Sequence, residues 1–142
     1  MTGEFEPLLT DHHTILLADV DAPDWPAFGD HDAVLSARPP LGVWLHTGVH
    51  TGDIGVRFTV HDTEPPLDEA QWPHHDQVTL FLQSTEFHAI NIGGGHDTIE
   101  RTLPAPGEYT VRAAWNRRAR EDHNEFLDDG EELYVIDVWP AR

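Results

Sequence analysis

Along Leu41–His61, LGVWLHTGVHTGDIGVRFTVH, apolar side chains recur at every second position: Val43, Leu45 and Val49, then Ile54, Val56, Phe58 and Val60. A period of two marks a strand with one buried face, because successive side chains of a pleated backbone point to opposite sides. Between the two runs lies His50-Thr51-Gly52-Asp53, a short glycine-containing connection that predicts a hairpin. In that register Val49 faces Ile54, Leu45 faces Phe58 and Val43 faces Val60, so both apolar sets share one side. His46 then sits opposite Arg57 on the outer face, and His50 opens the turn.

The same periodicity recurs down the chain. HHTILLADV near the N-terminus reads as a strand, as does Asp76–Ser84, with Val78, Leu80 and Leu82 on one face and Phe81 on the other. FHAINI follows, with His88, Ile90 and Ile92 sharing a face ahead of the glycines 93–95, and another strand spans Thr98–Leu103. A proline-glycine turn precedes Tyr109, Val111, Ala113 and Trp115, alternating inward, and the last run alternates Tyr134, Ile136 and Val138 before Trp139-Pro140. Without helical periodicity anywhere, about seven to eight strands predict an all-β chain, an antiparallel β-sandwich. At 142 residues it amounts to a single domain over 1–142, large enough to bury its own core. Three stretches are expected to lie outside the strands: DAPDWPAFGDHDAVLSARPP, DTEPPLDEAQWPHHD and NRRAREDHNEFLDDGEE.

Charge narrows the function. Twenty-six acidic residues face eight basic ones, all arginine, for a net −18. Direct binding to nucleic acid is disfavoured, since that affinity comes from basic groups displacing phosphate counterions. A basic protein partner is favoured, its encounter accelerated by the field. The absence of cysteine removes disulfides and thiolate metal sites, and no apolar run is long enough to span a membrane as a helix. The chain reads as soluble and cytoplasmic.

Chemical motifs are sparse. There is no G-x-S-x-G, Walker loop, dinucleotide-binding glycine pattern or H-E-x-x-H, so neither catalytic residues nor a cofactor are expected. Asp19, Asp21 and Asp24 lack the glycine and distal glutamate of a calcium loop. His46 and His50 lie about 13 Å apart along a strand, too far to share one ion. A metal- or small-ligand-binding β-sandwich is the alternative, with His46, His61, His74, His75, His88 and Asp76 converging from different strands.

The runs TGVHTGDIGVRFTVHDTEPPLDEAQW, LPAPGEYTVRAAWNRR and EELYVIDVWPA resemble a family of small, largely uncharacterised bacterial proteins common in actinobacteria. These are distantly similar to the competence protein J family, whose namesake inhibits a DNA-entry nuclease. The resemblance spans residues 40 to 142 and rests on the proline-glycine-x-tyrosine turn and on Tyr134–Pro140. It implies a β-sandwich, brings no catalytic motif, and through the distant link implies an inhibitor.

Together these features predict a non-enzymatic acidic module that binds a basic protein such as a nuclease or toxin, as an inhibitor or immunity-type factor. The expected contacts are Glu121, Asp122, Glu125, Asp128, Asp129, Glu131 and Glu132, an acidic run on a rigid scaffold. Trp25 and Trp72, each in an acidic loop, are expected to act as aromatic anchors.

Overall fold

The computed structural model describes residues 5–10, 14–19, 35–38, 42–48, 52–91, 98–116 and 132–141. They form two five-stranded sheets packed face to face. Sheet I runs in the order β1 (Glu6–Thr10), β5 (Gly52–Val60), β10 (Leu133–Pro140), β9 (Gly107–Trp115) and β6 (His74–Leu82). Sheet II runs β3 (Leu35–Arg38), β4 (Gly42–His46), β2 (Thr14–Asp19), β7 (Glu86–Asn91) and β8 (Thr98–Thr102). Neighbouring strands are antiparallel except β5 and β10, which are parallel. The chain is an all-β sandwich, as expected, with ten described strands instead of seven or eight.

Alternation places the core. Ile54, Val56 and Phe58 of β5, Tyr134, Ile136 and Val138 of β10, and Tyr109, Val111 and Ala113 of β9 all point inward. They meet Ile15, Leu17, Val43, Leu45, Phe87 and Ala89 of sheet II. Phe58 and Phe87 join the two layers edge to face at 5.8 Å and 78°, the geometry that ring quadrupoles favour.

The predicted hairpin does not form. β4 pairs with β2 and β3, whereas β5 pairs with β1 and β10, so Leu41–His61 passes from one sheet to the other. Leu45 lies beside Ile15 and Leu35, and Phe58 beside Ile136. His46 pairs with Thr14, not Arg57, and is buried. The physical reason is that alternation specifies which face of a strand is buried but not which strand lies beside it. Two facing strands present the same pattern whether they adjoin in one sheet or oppose each other across a core.

The two strands that periodicity missed are β1 and β3, both at sheet edges. β1 carries Pro7, which an edge accommodates because one side of the strand needs no partner. β3 lies within the proline-rich stretch expected to be strand-free, and β6 begins at His74, inside the second such stretch. At Gly42 β4 presses against β2: φ is +138°, and a Cβ there would lie 1.9 Å from the Leu17 carbonyl oxygen.

Connections set the two faces of sheet I apart. β5 ends beside Val138 and β6 starts beside Trp115, so residues 61–73 traverse the length of the sheet. They cover its outer side, where Trp72 is buried with Ala114 and Val135, and Leu67 packs against that cluster. Among the described residues no helix is long and apolar enough to cross a membrane.

Candidate interaction surface

The acidic run joins two adjacent antiparallel strands, β9 and β10, so its ends lie together at one end of the sandwich. Glu121, Asp122, Glu125, Asp128, Asp129 and Glu131, with Trp25, fall outside the described residues. The stem is described. Asn116 Oδ1 accepts a hydrogen bond from the Leu133 amide at 3.3 Å, directly bridging the two strands. Trp115 pairs with Tyr134 in the ladder, and the His74 ring stacks on Trp115 at 5.9 Å with 21° between planes.

Glu132 departs from the expectation of a surface carboxylate. Its exposure is 0%. One oxygen accepts from the Gly48 amide at 2.8 Å and from the Tyr134 hydroxyl at 2.6 Å, while its carbonyl accepts from the Gly55 amide at 3.0 Å. A carboxyl removed from water requires donors, and the Gly48 amide and Tyr134 hydroxyl, the two among the described residues, are neutral. The signal was present in the sequence: Tyr134, Ile136 and Val138 point inward, and the same period extended back by one step places Glu132 with them. Trp72 is buried too, on the outer face of sheet I, 4% exposed and 5.8 Å from Phe5, so it anchors residues 61–73 to their own sheet.

The stem end gathers further polar groups. Thr47 and Thr10 share a buried hydroxyl–hydroxyl bond of 3.0 Å, and Asn91 Nδ2 donates to the Leu9 carbonyl at 2.6 Å. The segment His46-Thr47-Gly48 is thereby tied to both β1 and the base of the acidic run.

The six residues proposed as converging metal ligands are dispersed. His61 Nε2 lies 2.7 Å from Asp137, His88 3.2 Å from Glu86 and His75 3.8 Å from Glu69. His74 stacks on Trp115, and His46 is buried beside β2. Asp76 accepts from the amides of Leu35 at 3.0 Å and Gln77 at 2.9 Å. No group of three potential ligands forms among the described residues, and zinc needs three or four.

Sequence reasoning missed a charged cluster on the outer face of sheet I. Asp137 and Arg112 are ladder partners on β10 and β9, 3.2 Å apart and almost fully buried. Arg112 also donates to the Pro65 carbonyl at 3.2 Å and lies 5.1 Å over the Trp139 ring, clamping residues 61–73 to the sheet. A single opposite charge within each of the apolar strands YTVRAAW and LYVIDVWP was the available sign.

No protein-family model matches the chain, and no curated protein matches it in sequence. Solved structures do resemble it. ComJ from Bacillus subtilis, described as the inhibitor of the DNA degrading activity of NucA, superposes with a TM-score of 0.67 at 14% identity, covering 99% of each chain. A protein described as crocagin biosynthetic gene J gives a TM-score of 0.62 at 20% identity, covering 98% of this chain and 97% of that one. At such identities the likeness is one of fold, and at that level the similarity to the competence protein J family holds.

Proposed function

We propose that this protein is a non-enzymatic inhibitor or immunity-type factor that binds a basic protein partner, a nuclease of the NucA kind. The observation that carries this reading is the full-length likeness to ComJ, whose description names inhibition of a DNA-degrading activity. A net charge of −18 supports it independently, because a nuclease cleft built for phosphates attracts an acidic surface. In this reading Glu121, Asp122, Glu125, Asp128, Asp129 and Glu131 pair with the partner's basic residues, and Trp25 supplies an apolar anchor. Glu132 and Asn116 hold the two ends of the run in register rather than touching the partner. The protein works in the cytoplasm and belongs with the small actinobacterial proteins it resembles.

The test is DNA cleavage by a basic nuclease of this kind, with association followed as salt is raised. Inhibition is expected. The association rate should fall steeply as the screening length shrinks from about 30 Å at 0.01 M to about 10 Å at 0.1 M. Replacing the six carboxylates by amides should abolish inhibition while leaving the melting temperature in place. Undiminished inhibition by that variant, or stoichiometric transition metal in the purified protein, would overturn the reading.

A further inference from the structure

Residues 61–73 do not seal the outer face of sheet I. Between them and the sheet lies a cavity of about 300 Å³ lined by Arg57, Leu67, Asp68, Gln71, Trp72 and Val135, at the lower end of the range for small-molecule sites. Its walls carry three kinds of chemistry.

The cationic wall is Arg57, half-buried on β5. Arg101 pairs with Glu6 at 2.9 Å and Arg112 with Asp137 at 3.2 Å. Arg57, by contrast, has no carboxylate at ion-pair distance among the described residues, in a chain of net charge −18. Its guanidinium lies over the Phe5 ring at 5.3 Å. That contact occupies no hydrogen-bond acceptor, so among the described residues the guanidinium N–H groups have none, and a planar carboxylate would supply one.

The acidic wall is Asp68. Its Oδ1 caps the turn by accepting from the amides of Ala70 at 3.1 Å and Gln71 at 3.3 Å, and its second oxygen has no hydrogen bond among the described residues. Asp137 also borders the cavity, but both its oxygens are engaged, by His61 and Arg112. The remaining lining is the apolar Pro66, Leu67, Trp72 indole and Val135, with the Gln71 amide beside them.

We infer that this cavity binds a free apolar α-amino acid, its carboxylate on the Arg57 guanidinium, its ammonium at Asp68 and its side chain against Leu67 and Val135. Such a zwitterion answers each wall. Phosphates and dicarboxylates are rejected by Asp68 and Asp137, and a simple carboxylic acid leaves Asp68 unanswered. The inference is independent of the inhibitor reading, since none of these residues belongs to the acidic run.

Calorimetric titration of the full chain tests it, with L-leucine as the probe beside 4-methylpentanoate, 3-methylbutylamine and glycine. Leucine should bind saturably. The two half-analogues should bind at least about tenfold more weakly, as loss of a charge-assisted hydrogen bond implies. Glycine should bind more weakly than leucine for want of an apolar side chain. Arg57→Gln should lose at least about tenfold in leucine affinity. Asp68→Asn keeps the turn-capping oxygen while removing the charge and, being exposed, should lose about threefold. Both variants should retain the melting temperature. No saturation with leucine, equal binding of 4-methylpentanoate, or full affinity in Asp68→Asn would each overturn the inference.

Discussion

Glu132 and Asp137 stand five positions apart on one stretch of chain and are both buried, yet they are held by opposite means. Glu132 faces inward at the end of the sandwich and is held by an amide and a phenol, Gly48 and Tyr134. Asp137 faces outward mid-strand and is held by a guanidinium and an imidazole, Arg112 and His61. The first ties sheet I to the segment leaving β4 of sheet II; the second ties sheet I to the connection that crosses its back. A chain with this much negative charge therefore buries carboxylates in two ways. Where a countercharge is present, the pair forms one unit whose halves depend on each other. Where the described donors are neutral, as the Gly48 amide and Tyr134 hydroxyl are, losing one costs a hydrogen bond.

The largest effect is expected from Arg112→Met, which leaves Asp137 without its guanidinium partner. It should cost about 3–5 kcal/mol in denaturant unfolding, and a loss no larger than that of a surface change would remove the distinction. Hydrogen exchange should locate the damage in residues 61–73, beginning with the Trp72 amide that donates to the Asp68 carbonyl. Glu132→Ala, leaving the Gly48 amide and Tyr134 hydroxyl without this acceptor, should cost about 2–3 kcal/mol. Its faster exchange should appear at Gly48 and spare Trp72. Tyr134→Phe removes one donor and should cost about 1 kcal/mol. The smallest change is expected from the double variant Arg112→Met with Asp137→Leu, which should return to within about 1 kcal/mol of the native protein because an apolar pair can replace a buried ion pair. Failure to recover would mean that the outer cluster also depends on His61.

Much of the sandwich was legible, because burial on one face leaves a period of two. Val78, Leu80 and Leu82 do face the core while Phe81 is exposed, and Tyr109, Val111 and Ala113 point inward as read. What periodicity does not encode is adjacency. Val43 and Phe58 face the same core, but from opposite sheets, and the parallel partner of Phe58 lies in the last described strand. β1 and β3 escaped notice because they are short and proline stands in or next to them, features that edges tolerate. Trp44 illustrates a further limit: all five residues of β4 are buried, so its second face is covered as well, and alternation alone suggests an open one. Of the nine expected contact residues, Glu132 and Trp72 were assigned to the surface because of acidic neighbours, yet their alternation or apolar packing decides their place.

The parallel pair β5 and β10 also constrains the order of events during synthesis. β10 is the central strand of sheet I, flanked by β5 and β9, yet it emerges from the ribosome after every other described strand. Until then β1 with β5 and β9 with β6 are separate two-stranded pieces, each marginal in water by itself. Sheet I must therefore close late, across a long sequence separation, which makes folding slow relative to that of locally connected proteins. Nascent chains that stall before Leu133 would display the bare edges of β5 and β9, and so depend on chaperones to escape aggregation.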